Sequence, residues 1–307
     1  MTAGGAGRIG SGMAAPAHPP ANPLAGVLWM VATGLCFIAV TAIVKATAQR
    51  LPAAESAFLR YLLGLVFLLP VIGALRADAP DRRELTLFGL RGLAHAGAVI
   101  LWFFAMTRLP VAEVTAMNYL APVYVTLGAA VFLGERLAWR RIAAVAAAFL
   151  GALIILRPGF REVLPAHAAM LGAGLLFGAS YLVAKRLSGR HPASVVVAML
   201  SITVTVGLAP FAIPVWIAPT LPEIAAMFAV ACFATLGHWT MTRAFAAAPV
   251  SVTQPVTFLQ LVWAVLLGWA LFGEPPDGWV MLGGTVIVAA VTALALREAA
   301  LRRAKPI

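Results

Sequence analysis

The sequence predicts an all-α integral membrane protein of ten transmembrane helices, arranged as two inverted five-helix repeats. Three observations lead there. Hydrophobic residues make up 62% of the 307-residue chain and charged residues only 11%, against about a quarter charged in water-soluble domains. Uncharged runs such as Leu24–Val44 and Val114–Gly134 match the roughly 20 apolar residues a helix needs to cross a bilayer. Two stretches also repeat: "FLGERLAWRR" (132–141) and "LFGEPPDGWV" (271–280) each close an apolar run on Gly-Glu, 139 positions apart. Lipid admits only helices or closed barrels, because every backbone polar group must be satisfied internally. Barrel strands alternate polar and apolar residues, and these runs do not.

Residues 1–22 are rich in Gly, Ala and Pro, with Arg8 as their one charge, and read as a disordered cytoplasmic tail. The following apolar run is long enough to span and lacks a convincing cleavage site, so it is a poor signal peptide. The ten spans cover 24–46, 54–75, 86–107, 111–134, 139–157, 166–187, 192–216, 222–244, 250–273 and 278–297. The second carries Glu55 and Arg60 and the third Arg91; long arginines near helix ends can snorkel to the interface. Pro210 and Pro214 kink or end the seventh. The expected units are the tail, a first repeat over 23–159, a second over 160–298 and a basic cytoplasmic tail over 299–307.

Lys and Arg set orientation. With the N-terminus cytoplasmic, sixteen basic residues fall on inside segments and five on outside ones, Arg60 lying within a span. Both termini are therefore expected in the cytoplasm of a cell bounded by this inner membrane. The formal charge of +11 reflects this topology and not nucleic-acid binding.

A shift of 139 aligns Pro110 with Pro249, Leu120 with Leu259 and Gly134-Glu135 with Gly273-Glu274. A shift of 140 aligns Gly34, Phe37, Lys45, Arg50 and Pro52 with Gly174, Phe177, Lys185, Arg190 and Pro192. Five spans per half is odd, so the halves cross the membrane in opposite senses. Arg136, Arg140 and Arg141 follow the first Gly-Glu on the inside, whereas Pro275, Pro276 and Asp277 follow the second outside. Inverted repeats of this kind occur in many secondary transporters.

The segment "RGLAHAGAVILWFFAMTRLPVAEVTAMNYLAPVYVTLGAAVFLGERLAWRR" and its second copy "FLQLVWAVLLGWALFGEPPDGWVMLGGTVIVAA" resemble the drug/metabolite transporter superfamily, EamA-type. The likeness covers about residues 24–297. It implies ten helices and transport of a small metabolite, relatives moving amino acids, nucleotide-linked sugars, cofactors such as riboflavin, and drugs. Where the family pattern has Pro, this chain has Leu261, so the two halves are not expected to bend alike.

Candidate substrate-binding residues follow from costly polar groups within spans. Thr115, Asn118 and Pro122 share one face of span four at helical spacing, with Thr126 beyond and Tyr119 beside them. Pro122 cannot donate to the Asn118 carbonyl, leaving it free for a ligand or for packing. In span nine Gln254 matches Thr115, Thr257 matches Asn118 and Trp263 matches Tyr124; Gln260 is an added polar group. His95 and His238 lie deep, His238 beside Trp239, and either can bind substrate or an adjacent helix. Imidazole titrates near neutrality, which makes His238 a candidate for proton coupling, with Glu113 as another. Lys45 and Lys185 are expected to snorkel, Glu135 and Glu274 to pair with Arg at the membrane face, and Gly174/Gly178 to form a close helix contact. Deep Trp29, Trp102, Trp239 and Trp263 suggest an aromatic-lined cavity. Cys36 and Cys232 read as packing residues.

No H-E-x-x-H, G-x-S-x-G or Walker A motif is present, which disfavours an integral-membrane enzyme and excludes an ATPase in this chain. A non-transporting scaffold lacks the soluble domain it would need. The expected partners are a small-molecule substrate and the lipid bilayer, with no cofactor, no metal and no nucleic acid; a homodimer stays open.

Overall fold

The computed structural model describes residues 22–77, 80–133, 139–160, 162–187, 190–248, 256 and 258–303. Twelve α-helices are described: α1 (Pro23–Thr47), α2 (Ala53–Gly64), α3 (Ile72–Ala77), α4 (Arg82–Met106), α5 (Val111–Asn118), α6 (Ala121–Leu133), α7 (Trp139–Leu156), α8 (Pro165–Leu187), α9 (Ala193–Ala212), α10 (Leu221–Ala247), α11 (Phe258–Phe272) and α12 (Gly278–Arg303). Among the described residues eight helical segments are long and apolar enough to cross a membrane, and Leu259–Phe272 is a shorter apolar helix. The one remaining span, the fourth, is the broken pair α5–α6. Leu28, Leu90, Leu150 and Trp269 point outward, as a lipid-facing surface requires.

Local chemistry sets the ends and breaks. Asn22 caps α1 by accepting from the Ala25 amide, with Pro23 in the first turn, where its missing N–H is no loss. Asp81 and Glu84 form a capping box on α4, and Thr220 and Glu223 another on α10. The second span runs from α2 through a 3₁₀ stretch, Leu65–Val71, that contains Pro70. Pro210 sits near the end of α9, which gives way to a 3₁₀ turn at Ile213–Val215. Within span four, the Tyr119 and Leu120 amides turn back to Ala116 and Met117. Pro122, with no N–H, cannot carry the ladder across. The expected single helix face is therefore two faces set at an angle.

Helix pairing has the pseudo-symmetry of an inverted repeat. Under the repeat shift α1 corresponds to α8, α4 to α10, α2 to α9 and α7 to α12. The structure packs α1 on α10 and α4 on α8, each pair the image of the other. It packs α4 on α9 and α2 on α10, a second such couple. The images α7 and α12 pack on each other. There a Cβ built at Gly151 would stand 2.6 Å from the Gly283 carbonyl oxygen and 2.7 Å from Ile287, and one at Gly283 would stand 2.7 Å from Ile155. Residues 151 with 287 and 155 with 283 define an antiparallel, self-complementary contact, so the two halves do cross in opposite senses. Gly174 and Gly178 hold the Tyr124 side chain of α6 at 2.9 Å from where a Cβ would stand, the close contact expected of small residues.

Ion pairs gather at two ends. One end holds Lys45–Glu274 at 2.5 Å, Arg50–Glu223, and Arg157–Asp277. Glu113 meets His167 there at 2.9 Å. The other end holds Glu84 with Arg190 and His191, and the Asn22 amide on the Ala247 carbonyl. Lys45 does not snorkel: it is 16% exposed, bound to Glu274 and donating to the Leu109 carbonyl at 2.6 Å. Glu274 thus pairs with a lysine of α1, not with an arginine. Glu135 and the Lys185 side chain lie outside what is described. Cys36 and Cys232 are free thiols.

Candidate substrate-binding site

A cavity of about 260 Å³ lies between the two ends, close to the roughly 300 Å³ at which small-ligand sites begin. Residues of α1, α2, α4, α5, α8, α10 and α11 line it, so both repeats contribute. Its aromatic walls are related by the repeat. Phe37 of α1 meets the His238 ring of α10 edge-on at 5.2 Å, and its image Phe177 of α8 meets His95 of α4 at 4.9 Å. Tyr181 stacks on Phe177, and Trp102 stands edge-on to it.

The polar groups divide into those already bonded and those open to a ligand. His95 bonds Tyr61 Oη through Nε2 at 3.0 Å and Ser180 Oγ through Nδ1 at 3.2 Å. Thr41 and Thr115 donate to carbonyls one turn earlier, Phe37 and Val111. Thr33 bonds the Trp29 carbonyl and the Thr240 hydroxyl. By contrast, Asn118 and Gln260 reach the cavity wall with no hydrogen bond from their amides to any described residue. Arg60 also lies on the wall, 9% exposed, its guanidinium 4.2 Å over the Tyr61 ring. The Arg60 Nε and the Trp102 Nε1 are buried without a partner among the described residues.

Of the residues singled out from the sequence, Thr115, Asn118, Gln260, His95 and His238 line the cavity. Five others stand off its wall. Pro122 is turned outward because the chain bends at Tyr119–Leu120, and Tyr119 packs against the apolar core. Trp263 is on the outer side of α11, 36% exposed. Trp239 sets its ring edge-on to Trp29 at 5.3 Å, with Arg243 over both rings. Glu113 is buried at the Lys45 end against His167. Gln254 and Thr257 lie outside the described residues.

Sequence reasoning missed Arg60, Tyr61, Thr33, Phe37 and Tyr181 as cavity residues. Arg60 carried a usable signal. An arginine at the eighth position of a membrane helix is costly enough to mark function by default, and treating it as interfacial set that aside.

The EamA-like transporter family model matches residues 24–157 and again 164–296. The chain belongs to the EamA-like transporter family. It is 32% identical to the riboflavin transporter of Rhizobium johnstonii, over 94% of this chain and 96% of that protein. It is 29% identical to the pseudopaline exporter of Pseudomonas aeruginosa, over 88% and 95%. To the S-adenosylmethionine uptake transporter of Rickettsia prowazekii it is 24% identical, over 87% and 91%. A solved crystal structure superposes with a TM-score of 0.57, covering 90% of this chain and all of its own at 20% identity, which speaks for the fold alone. This EamA-like protein is accordingly a multi-pass membrane transporter of a small metabolite and not an enzyme.

Proposed function

We propose that this EamA-like protein carries a small amphipathic metabolite with a flat ring through the central cavity by alternating access. It does so in the cytoplasmic membrane, with both termini cytoplasmic and the Lys45–Glu274 end outside. One observation carries the reading. The cavity lies between the repeats, has aromatic walls, and presents two uncommitted amides, Asn118 and Gln260. Rings stack on such walls, and the amides supply directional donors and acceptors. Riboflavin and its 5′-phosphate are the first compounds to try, because relatives in Rhizobium johnstonii and Vibrio cholerae are riboflavin transporters. Glu113 stands away from the cavity, so His238, which faces it, is the group assigned to any proton coupling.

Uptake into proteoliposomes, with and without an imposed pH gradient, tests this. Asn118→Ala and Gln260→Ala should each weaken transport by roughly 5–150-fold, the range for losing a hydrogen bond to a buried polar ligand. Wild-type uptake by both variants places the substrate elsewhere. A Cys at Asp277, and not one at Trp139, should react with an impermeant maleimide on intact cells; the reverse result inverts the topology.

A further inference from the structure

The charge on the cavity wall is one-sided. Arg60 is the ionised side chain there, and no Asp or Glu joins it among the described lining residues. No ion pair or hydrogen bond ties its guanidinium to any described residue. The repeat does not balance it: shifts of 139 and 140 put Met199 and Leu200 at the equivalent positions. Arg91, the nearest comparable cation on α4, is turned away and donates to the Val196 carbonyl. A buried cation without a counter-ion is costly. The Tyr61 ring face offsets part of that cost. Trp102 lines the same wall, its indole N–H buried without a partner among the described residues. A guanidinium matches the geometry of a carboxylate or phosphate.

We infer that Arg60 is the anchor for an anionic group, so that the transported compound is an organic anion: a planar ring bearing a carboxylate or a phosphate ester. This inference rests on the transport reading above and names the substrate class of that same cavity. The ring occupies the Phe177, Tyr181 and Trp102 side, and the anion meets Arg60 across Tyr61. When the anion enters, the buried charge is neutralised, and the empty and loaded carriers differ in net charge at their centre. An anion therefore favours the closed cavity in which the guanidinium is desolvated, whereas a neutral analogue does not.

Matched pairs of one ring with and without charge test it on the purified full-length protein: nicotinate and nicotinamide, indole-3-acetate and indole-3-acetamide, and riboflavin 5′-phosphate and riboflavin. Binding is read as thermal stabilisation in detergent and as quenching of tryptophan fluorescence. The anionic member of at least one pair should bind about 10–150-fold more tightly than its neutral partner, the range for a hydrogen bond to a charged group. Arg60→Gln should erase that preference, the affinity of the anionic member falling to that of its neutral partner measured on the same variant, and Arg60→Lys should keep part of it. Neutral members that bind the wild type as well as or better than anions overturn the inference, and so does an anion preference that survives Arg60→Gln. Failure of every anion to bind at millimolar concentration overturns it too. The wild-type comparison needs no variant to fold. Transport of a neutral compound without anion preference removes Arg60 as anchor but keeps the carrier. Anion binding with no transport of any compound keeps the anchor and removes the carrier.

Discussion

Glu274→Gln should loosen the end of the molecule at which α1, α5 and α11 converge. The Glu274 carboxylate takes a hydrogen bond from the Val111 amide at 2.9 Å and the Lys45 ammonium at 2.5 Å, while Lys45 also donates to the Leu109 carbonyl. Gly268 makes room for it, since a Cβ there would stand 2.5 Å from Glu274 Oε2. The two charged side chains are 16% and 17% exposed, so water screens them far less than a surface pair, which contributes about 0–1 kcal/mol. The glutamine keeps an oxygen for Val111 and loses the charge that faces Lys45. The expected loss is about 1.5–3 kcal/mol, the contribution of a hydrogen bond to a charged group, or roughly 10–150-fold in the ratio of open to closed molecules at this end. The readout is a cysteine at Thr41, on the cavity wall one turn below Lys45, in a chain with Cys36 and Cys232 replaced by serine. Its reaction rate with an impermeant maleimide on intact cells should rise by that factor. An unchanged rate at normal expression would refute the reasoning that this cluster holds the end shut.

Two further outcomes follow from contacts elsewhere. Gly283→Ala should force α7 and α12 apart at Ile155 and Gly151, destabilising the solubilised protein by about 1–3 kcal/mol. Gly278→Ala, where nothing lies within 4 Å of the new Cβ, should be silent in the same thermal melt. In the loop beside Arg157, burial raises the Asp277 carboxyl, but the Trp279 and Val280 amides and the Arg157 guanidinium outweigh it and hold it below its ordinary value. Its stabilisation is complete above the unfolded value of about 3.9 and is lost as pH falls through the lower folded value. Asp277→Asn should therefore flatten the acid limb of a stability–pH curve below about pH 4 and leave the neutral region's slope unchanged.

How much of this was legible in the chain depends on the range of the interaction. Membrane spans are written in composition, because lipid penalises charge locally and each helix satisfies its own backbone. The inverted repeat was legible as well: Phe37 and Phe177, three residues after Gly34 and Gly174, recur at a fixed shift, and the structure places both against histidines on the cavity wall. The face of span four was half legible. Spacing along an ideal helix puts Thr115, Asn118 and Pro122 in line, but Pro122 itself opens the ladder, and the bend turns its ring outward while Asn118 stays inside.

The sequence by itself determined that the chain is helical, membrane-spanning and two-fold repeated, since each of those rests on residues a few turns apart or on one constant shift. Only the tertiary structure decided which polar groups meet. His95 is held by Tyr61 of α2 and Ser180 of α8, Lys45 is held by Glu274 at the far end of the chain, and Arg60 faces the cavity without a partner. Spacing along one helix gives the direction of a side chain relative to that helix alone. Whether that direction meets lipid, a neighbouring helix or a cavity depends on rotations of seven helices about their own axes, set by close contacts such as Gly151 against Gly283 and by nothing within any single span.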